Sequence, residues 1–120
     1  WGTDLDIVDA YGHALNKTLK QENFEEGGEY QFLLYWLNIN ASKFGYFQAF
    51  TNDSARTGFQ YEPWHYSYAP LAKQILPILL DIDFTKIPEL KLCKGNQFFT
   101  KDFFQKYKEQ YILGINKDLI

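Results

Sequence analysis

The chain is poor in sulfur. It has one cysteine, Cys93, and no methionine among its 120 residues. An intrachain disulfide framework and a Cys-rich zinc site are therefore excluded. A lone cysteine does not fix the redox compartment, because many envelope proteins carry no disulfide. An excess of positive charge is also missing. Twelve Lys and Arg face fifteen Asp and Glu, for a formal net charge of -3 and a pI near 5.3. That balance argues against a nucleic-acid partner, which selects a basic face. Only His13 and His65 can supply imidazole. No apolar run is long enough to span a bilayer. The longest such region, Ile75 to Leu80, is short and contains Pro77. The opening Trp1-Gly2-Thr3-Asp4 has neither the basic nor the apolar stretch of a signal peptide. With no initiator Met, the chain reads as a processed or cut piece of something longer. No internal repeat and no low-complexity tract interrupts it.

Aromatic residues are plentiful: 11 Phe, 9 Tyr and 3 Trp. Most are expected in a core built from large rings, and a share of them can line a cleft. At this length a single domain that buries about two-thirds of its unfolded surface is expected. Thr3 to Val8 alternates with a strand period, placing Asp4, Asp6 and Val8 on one side and Leu5 and Ile7 on the other. Gly12 is expected to close that segment. Lys17 to Glu29 is polar and reads as a surface excursion with a short helix before Gly27-Gly28. Tyr30, Leu33, Leu34, Leu37 and Ala41 recur at helical steps and predict a helix over 29–44, ended by Gly45. Tyr46 to Phe50 reads as a strand and Thr51 to Thr57 as a polar loop. Phe59 to Tyr68 is aromatic and extended, with Pro63 interrupting ladder pairing. Ala69 to Leu80 predicts a helix with Pro70 in its first turn, kinked or ended by Pro77. Asp81 to Gly95 is irregular. Thr100 caps a last helix, whose stripe of Phe103, Phe104, Tyr107, Tyr111 and Ile112 is expected to pack on the core. The order of elements predicts an α+β fold with a small antiparallel sheet and flanking helices.

Glu62 and His65 stand three residues apart in Tyr61-Glu62-Pro63-Trp64-His65-Tyr66. In an extended chain they would lie on opposite faces, unless Pro63 turns the backbone and aims both into one cleft. There a carboxylate and an imidazole suit a general base and a metal ligand. The plainer reading is an aromatic strand with one half-buried histidine. Asp6 is a second candidate, because zinc accepts Asp oxygen and His nitrogen, and a catalytic site keeps a fourth position open. The plainer reading of Asp4 and Asp6 is a solvated strand edge or a cap.

The string Glu62-Pro63-Trp64-His65-Tyr66, preceded by Thr57-Gly58 and Tyr61, resembles the second motif of VanY-type D-alanyl-D-alanine carboxypeptidases. Trp36-Leu37-Asn38, continuing through Asn40-Ala41 to Phe44-Gly45-Tyr46, resembles the segment before that motif. Trp1-Gly2-Thr3-Asp4-Leu5-Asp6-Ile7 resembles the end of the first motif, in which a His lies three residues before a Gly and an Asp four after it. The resemblance covers about residues 1–75 in matching order and leaves about 90–120 as a helical C-terminal addition to one domain, 1–120. It implies the fold of the hedgehog and D,D-peptidase group, N-terminally incomplete. It implies Asp6 and His65 as zinc ligands, Glu62 as the base that takes a proton from the attacking water, and Trp64 as a substrate-side residue shaping the pocket. The first zinc-binding His would lie two residues before Trp1, so the chain carries two of three ligands. An upstream piece of the same protein is then a possible partner. His13, seven residues beyond Asp6, is expected on a loop or surface. Asp4 departs from the small residue usual at its position. Ser67 and Ala69-Pro70 replace the more usual Arg and Val-Gly.

The activity so implied is zinc-dependent removal of the terminal D-alanine from peptidoglycan stem peptides, as a D,D-carboxypeptidase or the related L,D-carboxypeptidase. The location would be the bacterial cell envelope. A reading from another class is a catalytically inactive module that binds cell wall or protein on the same scaffold. Retention of Glu62 speaks for the enzyme, since a binding module needs no base.

Overall fold

The computed structural model describes residues 2–14 and 19–120, the side chains at 13 and 14 excepted. Three short strands form one antiparallel sheet: β1 (Asp4–Asp6), β2 (Tyr46–Gln48) and β3 (His65–Tyr68), in the order β1-β3-β2. Among the described residues four α-helices accompany it: α1 (Ala10–Ala14), α2 (Gln31–Asn40), α3 (Ala69–Asp81) and α4 (Lys101–Tyr107). The α+β class and the small antiparallel sheet are as the pattern of elements predicts.

The register of the sheet decides what each face carries. Asp4 pairs with Ser67, Leu5 with Tyr66 and Asp6 with His65. On the other side of β3, Phe47 pairs with Ser67 and Gln48 with Tyr66. Because side chains alternate along a strand, Asp4, Asp6, His65 and Ser67 share one face, and Leu5 and Tyr66 the other. The Tyr66 face is covered by α2. Leu37, Ala41 and Tyr66 form a buried cluster there, flanked by Ile7, Leu33 and Tyr46. The opposite face packs on a second cluster of Ala49, Ala69, Ala72, Ile115 and Leu119, with Phe47 and Phe50 against it. Two of these residues, Ile115 and Leu119, come from the end of the chain.

The helix expected over 29–44 is α2 followed by a 3-10 turn at Ala41–Phe44. It ends at Gly45, whose φ of 80° is left-handed, and glycine takes that conformation without steric cost. Three expectations need correction. Gly12 does not close the first segment but lies inside α1. Lys17 to Glu29 is not purely a surface excursion, because Phe24 is buried and stacks on buried Tyr30 at 4.8 Å. Pro77 does not end its helix, since α3 runs on to Asp81. Pro70 sits in the first turn of α3, where a missing N–H costs nothing. Thr100 caps α4 as expected, its hydroxyl accepting from the Phe103 N–H at 3.1 Å. The helix continues as a π-turn through Lys108–Ile112.

The aromatic stripe on that last element is less buried than core packing requires. Ile112 is buried, yet Phe103 is 41% and Tyr107 39% exposed. The reason is the partner surface. Tyr107, Tyr111 and Ile112 face a cleft beside the sheet instead of closing onto it.

Candidate active site

His65 opens β3 at the centre of the sheet, with a strand on each side. The turn that precedes it is short. Pro63 is fully buried, and the His65 N–H donates to the Glu62 carbonyl at 3.2 Å. This turn brings residues three apart to one side, as required for Glu62 and His65 to converge. Glu62 is itself held at the mouth of the β2–β3 loop, where its N–H donates to the Phe50 carbonyl at 3.0 Å.

Around the imidazole the carboxylates are close. His65 Nδ1 lies 2.9 Å from Asp6 Oδ1 and 3.7 Å from Glu62 Oε2. His65 Nε2 lies 3.7 Å from Asp4 Oδ2. The Phe50 ring stacks on the imidazole, with centroids 4.8 Å apart, and limits its rotation. Pairing with Asp4 raises the His65 pKa above its ordinary value against the opposing effect of burial, and Asp6 adds to the rise. Burial alone would push the Asp4 carboxyl up. The His65 and Ser67 side chains outweigh it and hold Asp4 at about 2.

The structure thus brings together Asp6, Glu62 and His65, the three residues singled out from the two motifs. It adds Asp4, which pattern reading placed on the same strand face without a partner. Trp64 stands apart from the residues that line the cleft. Its ring packs on Phe24 at 5.6 Å, and its carbonyl accepts from the Ile7 N–H at 2.9 Å, which ties β1 to the turn. The His13 side chain lies outside the described residues.

The cleft has a volume of about 390 Å³. Asp4, Glu62, His65 and Ser67 supply its polar side, and Phe50, Phe59, Tyr107, Tyr111 and Ile112 much of its apolar side. The last three of these residues were missed as cleft residues in the sequence. Their helical spacing is the same for a core stripe and for a cleft wall.

Zinc takes imidazole nitrogen and carboxylate oxygen at about 2.0–2.2 Å in a tetrahedral arrangement, which separates neighbouring donor atoms by about 3.3 Å. Asp6 Oδ1 and His65 Nδ1, 2.9 Å apart, are of the right kind and near that spacing. They fit as two ligands of such an ion. Among the described residues no group of three His, Cys, Asp or Glu side chains is arranged to hold a metal.

A small α+β protein with a carboxylate–histidine cluster at one side of a cleft is defined by this geometry. The match to known proteins is specific. The VanY family, D-alanyl-D-alanine carboxypeptidase, matches residues 1–71, and the chain belongs to that family. An uncharacterized protein of Haemophilus influenzae is 35% identical over 75 residues, which is 61% of this chain and 57% of that protein. The chain therefore spans little more than half the length of that curated relative. No solved structure matches.

Proposed function

We propose that this chain carries the catalytic core of a zinc-dependent carboxypeptidase that removes the terminal D-alanine from peptidoglycan stem peptides, on a scaffold of the hedgehog and D,D-peptidase type in the bacterial cell envelope. The related L,D-carboxypeptidase uses the same centre and differs in the stem peptide it accepts. The observation that carries the proposal is the convergence of Asp6 and Glu62, drawn from two distant motifs, on the Nδ1 of His65, with Glu62 and His65 lining the cleft. Family membership supports it.

Asp6 and His65 would hold the metal as two of its ligands. Bound there, zinc supplies Lewis-acid polarisation of the attacking water and of the scissile carbonyl. Glu62 is free of the strand ladder at its side chain and sits within reach of the same nitrogen as Asp6. It accepts the proton from the attacking water and returns it to the leaving amine as the C–N bond breaks. Phe50 and Asp4 keep the His65 ring in place. Trp64 supports the turn that carries Glu62 and His65 through its packing on Phe24.

The test uses the full-length gene product, with zinc content and D-alanine release measured together on a diacetyl-L-Lys-D-Ala-D-Ala peptide. About one zinc per chain and release of D-alanine are expected. Glu62→Ala should keep the zinc and lose about 100-fold or more in rate, the scale of a lost general base. Undiminished turnover by Glu62→Ala would sink the base assignment. Bound zinc with no release from pentapeptide or tetrapeptide substrates would favour the inactive binding module.

A further inference from the structure

Charge is unevenly divided along the chain. Residues 84–108 carry six Lys against two acids, Glu89 and Asp102, whereas residues 1–83 carry five Lys and Arg against eleven Asp and Glu. The basic stretch lies beyond residue 71, where the match to the family ends. It holds no Arg. Lys86, Lys91, Lys94, Lys101 and Lys106 are exposed. Lys86 meets Asp83 at 3.4 Å. Lys108 is spent internally, its ammonium donating to the Leu80 and Ile82 carbonyls at 2.6 and 2.7 Å.

Three 3-10 turns, Phe84–Lys86, Pro88–Leu92 and Asn96–Phe98, lead into α4 and hold this stretch in one shape. The Asn96 side-chain amide donates to the Lys91 carbonyl at 2.5 Å and fastens the second turn to the third. Phe104 meets Phe84 at 5.4 Å and Phe99 at 5.6 Å, which fastens α4 to the first turn and to its own approach. Between these elements lies an open groove of about 500 Å³, walled by apolar side chains that include Ile87, Leu90, Phe99 and Phe103. Leu92 follows Leu90 in the second turn, and Phe98 precedes Phe99. Leu92, at 86%, is the most exposed large apolar side chain among the described residues, and Phe98 is 68% exposed. Along α4, at about 100° per residue, Lys101 and Lys106 flank the face of Phe103, Phe104 and Tyr107 on its two sides, and Asp102 lies opposite.

We propose that residues 84–108 dock on an anionic bilayer surface, with Leu92, Phe98 and Phe103 entering the interface and Lys91, Lys94, Lys101 and Lys106 meeting lipid phosphates. This goes beyond the peptidase reading and does not depend on it. No helix among the described residues is long and apolar enough to cross a membrane, so contact of this kind is interfacial. Apolar side chains that stand out beside a basic cluster gain both from leaving water and from the negative potential of the lipid surface. The choice of cation selects a bilayer over a protein. Lys is depleted in protein interfaces, where Arg is enriched. Its long stem lets the ammonium stay among headgroups while apolar neighbours go deeper. Tyr107 and Ile112 line both the groove and the cleft, so one wall separates a docked bilayer from the candidate active site.

The test is sedimentation of the full-length gene product with vesicles of equal parts phosphatidylglycerol and phosphatidylcholine, against vesicles of phosphatidylcholine alone. Binding to the anionic vesicles is expected, weaker by about tenfold or more on neutral vesicles and at high salt. Lys91→Glu with Lys94→Glu, and separately Leu92→Gln with Phe98→Gln, should each lower the partition coefficient about tenfold or more. All four side chains are exposed, so both double variants should keep the fold, read as an unchanged far-UV circular dichroism spectrum. Leu92→Trp reads depth, since its emission should shift to the blue on anionic vesicles. Absence of binding to anionic vesicles at low salt overturns the proposal. Binding that both double variants leave unchanged, or that neutral vesicles match, also overturns it. Self-association removed by the same variants, with no vesicle binding, overturns it in favour of a second copy of the chain.

Discussion

Leu119 is the penultimate residue of a segment that pattern reading left without a role, yet it is fully buried. It packs with Ala49 from the end of β2 and with Ala69 and Ala72 of α3, and it also lines the cleft. Replacing it with Ala removes buried methyl groups and leaves a cavity. Such changes cost about 2–5 kcal/mol. The adjoining cleft lets the surroundings relax, so the lower half of that range is expected, about 2–3 kcal/mol. For a domain of this length that is a fall in Tm of roughly 10 °C, and a large share of a total stability of about 5–15 kcal/mol. Urea denaturation followed by tryptophan fluorescence measures it, with the slope of the transition unchanged if only the native packing is affected. A loss below about 0.5 kcal/mol would refute the reasoning. It would mean that the C-terminal segment does not dock on the sheet, and the cleft wall would go with it.

Other perturbations test separate parts of the structure. Gly58 has a φ of +81°, and an added Cβ would lie 2.5 Å from the Gln110 carbonyl oxygen. Gly58→Ala should therefore destabilise by more than the roughly 1–2 kcal/mol of left-handed strain alone, and calorimetry showing a neutral effect would contradict the contact between loop and π-turn. The Tyr66 hydroxyl is buried with no hydrogen-bond partner among the described residues, and burial, with Tyr61 adding to it, pushes its pKa to about 12. Tyr66→Phe should be neutral or stabilising by about 1 kcal/mol, whereas a loss of that size would reveal a partner. In metal-free protein the Asp4–His65 pair sets a pH window. Asp4, depressed from 3.8 to about 2, contributes stability above pH 3.8 that is lost on acidification towards pH 2. His65, raised above 6.5, contributes stability below that value that is lost as pH rises through its folded pKa. Denaturation midpoints measured against pH should show both limbs, with the acid limb flattened in Asp4→Asn. An acid limb unchanged by that substitution would sink the pairing.

Local rules were enough for much of the fold. Helical recurrence from Tyr30 to Ala41, with a glycine after the last turn, specifies α2 and its end, because both depend on near neighbours only. Alternation in Thr3 to Val8 likewise puts Asp4 and Asp6 on one strand face before any partner is known. Pro63 between Glu62 and His65 announces a break in extended backbone at the right place. Local rules erred where the outcome was not written in the segment itself. Phe24 looked like part of a surface stretch because its partner Tyr30 lies across a glycine-rich turn. Pro77 was expected to kink or end its helix, and α3 continues past it to Asp81.

The sequence by itself determined the residue types of the candidate site and their grouping into two motifs, since a strand period and a proline turn are properties of short segments. Only the tertiary structure decided that Asp6 pairs with His65, because that register is set between strands almost sixty residues apart. It also decided that the last aromatic helix borders the cleft. A helical stripe records which residues share a face, and what that face meets depends on where Arg56, Thr57 and Asn116 fasten the end of the chain.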